Sequence, residues 1–163
     1  MRTVIGVMGG ARVSSVVAEH ARCLGELIAH RGWVLLNGGR DAGVMAASAQ
    51  GASAAGGLVV GILQDTEPVG VAPGVDIAIP TGMGDARNVI NVLASHVVVA
   101  LPGGAGTISE IALALKSGRS VVTVGFPLGP EFEPYRLDGT LTDTDTPEAA
   151  ILIVAGILEK ARP

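Results

Sequence analysis

The residues of this chain that could do chemistry fall into three glycine-rich segments and a small set of arginines. Gly9-Gly10-Ala11-Arg12, Asn37-Gly38-Gly39-Arg40 and Pro102-Gly103-Gly104-Ala105-Gly106-Thr107 each leave a β-branched run and enter a helical pattern. Glycine lets backbone N–H groups approach an anion closely, and the start of the following helix adds a favourable dipole. One such loop could be no more than a tight turn; the convergence of three points to a phosphate group. Arginine placement sharpens this, because the chain has nine arginines but only Lys116 and Lys160 as lysines. Arg12, Arg40 and Arg87 all follow expected strand ends. A guanidinium can grip a phosphate or carboxylate with two parallel hydrogen bonds, although any one arginine could instead be a solvated surface residue. Arg87 is the best placed, since it follows the turn Thr81-Gly82-Met83-Gly84.

Other chemistries find little support. The first loop is not G-x-G-x-x-G, and the second strand ends in Asn37 where a ribose-binding acid is expected for a dinucleotide. No Gly-Lys-Ser/Thr occurs, so there is no Walker motif. Ser14 and Ser15 lack a convincing base partner for a serine hydrolase. His20, His30 and His96 are scattered and read as structural, and no Cys/His cluster has zinc spacing, so no metal site is expected. Cys23, the single cysteine, reads as a small core residue and cannot form an intramolecular disulfide. Thr107-Ile108-Ser109-Glu110 has capping-box spacing, so Glu110 could cap its helix or act chemically. Asp85 could likewise be a helix cap.

The elements that must position these residues alternate along the chain. Strands are expected at 3–8, 33–37, 58–63, 75–79, 96–101 and 120–124. Helices are expected at 13–31, 42–55, 85–94, 107–116 and 148–160, with Ser14 or Ser15 near the start of the first. Residues 125–146 read as irregular, with Pro127, Pro130, Pro134 and several acids, and a loop of that length in a domain is usually functional or mobile. Repeated strand–helix units imply an α/β fold: a doubly wound, mainly parallel sheet with helices on both faces, in a single domain over 1–163.

Composition agrees. The chain has 163 residues, 48% hydrophobic and 16% charged, which rules out disorder for most of its length. Aromatics are only 2%, so the core must be aliphatic and no stacking platform for single-stranded nucleic acid is expected. The net charge of −4 excludes a general polyanion binder. No apolar stretch reaches the ~20 residues needed to cross a bilayer, and the N-terminus is too short and broken for a signal peptide. A cytoplasmic protein is expected, with no nucleic-acid or membrane partner.

The segment from Thr81 to Arg119 resembles the LOG-like group of Rossmann-like proteins, also called "possible lysine decarboxylase" proteins. The motif Pro-Gly-Gly-x-Gly-Thr-x-x-Glu is complete from Pro102 to Glu110, and Asn37-Gly38-Gly39 with Ala42-Gly43-Val44-Met45 is similar to the group's second glycine-rich loop. The resemblance implies phosphoribohydrolase chemistry and not lysine decarboxylation. In the enzymes a Met-His-x-Arg-Lys stretch supplies an arginine; here Arg87 is retained, but Asp85 and Asn88 hold the His and Lys positions. The variant Gly-Met-Gly-x-Ala-Arg-Asn looks more like the molybdenum cofactor carrier branch, whose members bind a pterin phosphate and perform no known turnover.

Two functions are therefore expected in competition. The first is a binding protein for a phosphate-bearing, nucleotide-like ligand, which the resemblance implies could be the molybdenum cofactor. Its site would draw on Gly9, Gly10, Arg12, Gly38, Gly39, Arg40, Met83, Arg87, Asn88, Pro102, Gly103, Gly104, Gly106, Thr107 and Glu110. The phosphate would rest on N–H groups from Gly103 to Thr107, helped by Gly39 and Gly10, and the loop at 125–146 would border the pocket or a subunit contact. The second is a hydrolase splitting nucleoside 5′-monophosphates into free base and ribose 5-phosphate, with Arg87 and Glu110 catalytic. No cofactor is required in either. A homodimer or dimer of dimers is expected, with the apolar stretches Ile111 to Leu115 and Ala149 to Leu158 as candidate contacts.

Overall fold

Val, Ile and Leu fill the short runs between the glycine-rich turns, and in the computed structural model, which describes residues 1–161, those runs become a single sheet. Residues 162 and 163 of the expected domain lie outside the described residues. The chain runs β1 (Val4–Met8), α1 (Ser15–His30), β2 (Val34–Asn37), α2 (Gly43–Ala54), β3 (Val59–Leu63) and β4 (Ile77–Pro80). A 3₁₀ turn (Gly84–Arg87) leads into α3 (Asn88–Ala94), β5 (Val97–Ala100), α4 (Ala105–Lys116) and β6 (Ser120–Val124). It closes with α5 (Glu133–Leu137), β7 (Leu141–Thr144) and α6 (Pro147–Lys160).

All seven strands are parallel, in the order β4-β3-β2-β1-β5-β6-β7. The two central strands β1 and β5 carry no polar side chain because both faces are covered. Ile5 and Val7 of β1, and Val97 and Val99 of β5, pack under α1, α2 and α6. Met8, Val98 and Ala100 face the opposite layer with Ile111, Ala114 and Leu115 of α4. This is the expected doubly wound α/β sheet. The chain winds outward from β1 to β4, then returns through α3 to place β5 on the other side of β1. That reversal makes the carboxyl ends of β1 and β5 the switch point, where such sheets open a crevice.

Three expectations are corrected. Residues 125–146 are not irregular: they hold α5 and the edge strand β7, paired to β6 from Val121↔Leu141 to Val124↔Thr144. Ile111 to Leu115 is not a free contact stripe, since Ile111, Ala114 and Leu115 are buried in the core; in α6, Ala150, Ile151 and Val154 are buried as well and Leu152 is exposed. Cys23 is only half-buried, with its Sγ 3.4 Å from Glu148 Oε1. Other readings gain detail. Ser14 caps α1 through the Val17 N–H, and His96 accepts the Val4 N–H at Nδ1. Among the described residues, no helix is long and apolar enough to cross a membrane.

The layer of α1 on α2 depends on two glycines. A Cβ on Gly51 would overlap the Arg22 carbonyl oxygen, and one on Gly25 the Ser48 carbonyl oxygen. Helix propensity alone would make Gly51→Ala stabilising by up to ~1 kcal/mol. Backbone cannot yield as a side chain can, so overpacking should win. We expect Gly51→Ala to destabilise the protein by about 2 kcal/mol, measured by urea denaturation; an unchanged or raised midpoint would remove the close-approach explanation.

Candidate functional site

The crevice at the switch point is a cleft of about 200 Å³. The first loop, from Met8 to Ala11, forms one wall. Gly104, Gly106, Thr107 and Glu110 of the α4 start form another, and Gly38, Met45, Gln64, Asp85, Arg87 and Asn88 complete it.

The glycine-rich loops are first a packing device. The Gly10 N–H donates to the Pro102 carbonyl at 3.1 Å, and the Gly10 carbonyl accepts from Val44 N–H at 3.0 Å. A Cβ on Gly103 would meet the Gly10 nitrogen and the Thr107 hydroxyl. Asn37, fully buried, braces the second loop: its Nδ2 donates to the Met45 carbonyl and Ser48 Oγ, and its Oδ1 accepts the Gly39 N–H at 2.8 Å. Gly10 and Gly39 therefore have no N–H to offer an anion, which corrects the expectation that they assist the phosphate. The α4 start differs. No hydrogen bond of the described residues engages the N–H groups of Gly104, Ala105, Gly106 or Thr107. These are the unsatisfied donors of a helix N-terminus, and Gly104, Gly106 and Thr107 line the cleft.

Arg87 faces them from the 3₁₀ turn. It is 6% exposed, and its Nη1 donates to the Ile62 carbonyl at the end of β3 at 2.7 Å. Its Nε is buried with no partner. Gly38 makes room for it, since a Cβ there would collide with both terminal guanidinium nitrogens. Burial pushes the Arg87 guanidinium below the usual arginine range; Glu110 opposes that shift and Arg40 adds to it.

Glu110, one turn into α4, is 7% exposed and accepts from Asn91 Nδ2 at 2.8 Å. The helix begins at Ala105 with Gly104 as its N-cap, so Thr107 lies inside the first turn and Glu110 does not cap. The capping reading is thus corrected: Glu110 is a buried acid of the cleft. Burial raises its carboxyl above the usual glutamate range, while Asn91 and Arg87 pull the other way. Asp85 is no helix cap either; it accepts from Gln64 Nε2 at 2.8 Å.

Of the residues expected at the site, Gly9, Gly10, Gly38, Arg87, Asn88, Gly104, Gly106, Thr107 and Glu110 line the cleft. Asn88 is buried and spends its Nδ2 on Ser109 Oγ. Gly39, Pro102 and Gly103 lie behind the lining as loop supports, and Met83 is exposed outside it. Arg12 lines a separate groove between α1 and α2, and Arg40 an adjoining chamber. Residues 125–146 do not border the cleft. Sequence reading missed Gln64, Met45 and Ala11 as lining residues. Gln64 directly follows β3, and the strand-end rule applied to the other loops would have found it. Among the described residues no His, Cys, Asp and Glu cluster is suited to a metal ion.

The model of the SLOG cluster4 family matches residues 2–156. A molybdenum cofactor binding protein from the phototrophic bacterium Rippkaea orientalis is 43% identical, covering 97% of this chain and 98% of that one, with a TM-score of 0.91. The molybdenum cofactor carrier protein of Chlamydomonas reinhardtii is 41% identical, covering 98% and 99%, with a TM-score of 0.87. An uncharacterized protein of Archaeoglobus fulgidus is 48% identical over 124 residues, 76% of this chain and 81% of its own length. The chain belongs to the SLOG cluster4 family.

The buried acid yields a test with a definite sign. A carboxyl whose folded pKa is raised binds its proton more tightly in the native state than in the unfolded one, so stability falls as pH rises from the ordinary glutamate range through the raised value. Glu110→Gln keeps an oxygen for Asn91 and removes that cost. We expect Glu110→Gln to be more stable than the parent at pH 7, with the difference shrinking toward pH 4 in urea denaturation. A gap that widens on acidification would contradict the assignment.

Proposed function

We propose that this member of the SLOG cluster4 family binds the molybdenum cofactor, a pterin phosphate, and carries it without turning it over. The observation that carries this reading is the facing of two anion-seeking groups across one cleft. The free N–H groups from Gly104 to Thr107 lie on one side and the under-bonded Arg87 guanidinium on the other. A phosphate between them would accept hydrogen bonds from both, and charge-assisted bonds of this kind are about twice as strong as neutral ones. Thr107, buried with its side chain at the lining, adds a hydroxyl. Backbone donors and a buried arginine need little reorganisation, which favours tight retention of a ligand.

Two solved relatives that align with this chain nearly end to end, from Rippkaea orientalis and Chlamydomonas reinhardtii, bind or carry molybdenum cofactor. The competing hydrolase reading has less behind it. Asp85 and Asn88 stand where the resembling enzymes have His and Lys, and both are committed to internal hydrogen bonds. Oligomerisation through the α3–α4 surface fits the same reading, because Val89, Leu93 and Ile108 are exposed apolar side chains there.

Cofactor retention is the deciding experiment. Purified protein is mixed with molybdenum cofactor released from a molybdoenzyme, desalted, and assayed for co-eluting molybdenum and pterin. We expect near-stoichiometric retention, and no base released from any nucleoside monophosphate. Arg87→Ala should weaken retention ~10–150-fold, the loss of about 1.5–3 kcal/mol from a hydrogen bond to a charged group. Release of free base, abolished in Glu110→Gln, would instead establish the hydrolase. Light scattering at micromolar concentration should give a dimer or larger; a monomer would remove the oligomer from the reading.

A further inference from the structure

Beside the cleft lies a second chamber of about 470 Å³, and the two share Ala11, Met45, Gln64 and Arg87 as common walls. The new wall brings Arg40, Asp41, Ala42 and Gly70. Its backbone is fixed: the Asp41 N–H donates to the Gly70 carbonyl and the Ala72 N–H to the Gly39 carbonyl, each at 2.9 Å, and Arg40 pairs with Val71 across an isolated bridge. The Arg40 side chain is less committed. Only its Nη2 is engaged, by Asp65 Oδ2 at 2.7 Å, and the group is 35% exposed. Arg87, on the opposite wall, is more than nine-tenths buried, with only Nη1 engaged and Nε orphaned.

Two guanidiniums thus face one chamber, close enough for Arg40 to disfavour the charge on Arg87. Asp65 satisfies one edge of Arg40 and does not line the chamber; Asp41 does line it but is exposed. An anion in the chamber would relieve the repulsion and take up the unused N–H donors. We infer that the Arg40–Arg87 chamber is a second oxyanion subsite, so that the site takes a ligand with two neighbouring anionic groups. This deepens the proposed function and rests on it for the first anion at the α4 start. It also divides ligand classes. A nucleoside monophosphate has one anionic end and a neutral base. A phosphorylated pterin that also carries an oxometal group has two anionic groups, and such a ligand can use both subsites.

Tungstate is a suitable probe, because tungsten can be located by anomalous scattering in soaked crystals and titrated calorimetrically in solution. We expect two tungsten positions per chain, one at Gly104 to Thr107 and one against Arg40. Arg40→Gln should lose the second position and leave the first, with second-site affinity down about 10-fold or more. Asp65→Asn frees Arg40 from its ion pair and should tighten the second site. Tungsten at the α4 start alone in the parent protein would overturn the second subsite, as would unchanged second-site affinity in both variants. Tungsten against Arg40 alone would leave the chamber standing and overturn the phosphate seat of the proposed function, so the two failures are separable.

Discussion

A guanidinium held out of water is the constraint around which the functional edge of this protein is arranged. A buried charge costs several kcal/mol unless its donors are satisfied. Arg87 has one carbonyl, that of Ile62, in direct contact, and Glu110 acts on it only at longer range. Everything nearby limits that cost. β3 ends so as to present its carbonyl, Gly38 lacks the Cβ that would block the group, and the 3₁₀ turn delivers the side chain inward from an otherwise exposed segment. What remains unsatisfied, the buried Nε, is a standing affinity for an anion. The same incompleteness preorganises the site for a ligand.

The acid of the cleft is held by different means. Asn91, fully buried, presents its amide to Glu110, and its backbone carbonyl accepts from Ser95 Oγ, tying α3 to the foot of β5. α3 packs on α4, so the two helices that flank the site carry the acid and its brace as one unit. An anion bound at the α4 start would be repelled by an ionised Glu110 one turn away. The raised carboxyl pKa reduces that repulsion, because the acid takes up a proton more readily than an exposed glutamate does.

Much of this was legible before the coordinates. Alternation of β-branched runs with helical patterns, punctuated by glycine, led directly to the parallel sheet and to three loops at its carboxyl edge. Three failures have physical causes. β7, Leu141-Thr142-Asp143-Thr144, is an edge strand in which only Leu141 is buried, so it lacks the apolar run that marks the interior strands. The glycines mark close approach without saying what approaches. At Gly10 the neighbour is the backbone of Pro102 and Gly103; at Gly38 it is the guanidinium of Arg87. Both read alike in sequence, and only the second bears on the ligand. Capping-box spacing misled for a similar reason, because α4 starts two residues before Thr107 and places Glu110 a turn deeper than the motif requires.

The electrostatic character of the cleft also bears on the choice between holding and cleaving. Cleavage of an N-glycosidic bond builds positive charge on the sugar, and an acid helps there only as a carboxylate aimed at that charge. Glu110 is poorly suited to that. Burial raises its carboxyl pKa, against the Asn91 amide and Arg87, which favour the carboxylate. Arg87 and the free N–H groups of α4 are complementary to negative charge that is present in the ground state, and such uniform binding lowers the energy of a ligand without lowering a barrier. A cleft of preset donors, beside an acid whose carboxyl pKa is raised by burial, meets the physical requirement of the proposed carrier, which is to retain an anion unchanged.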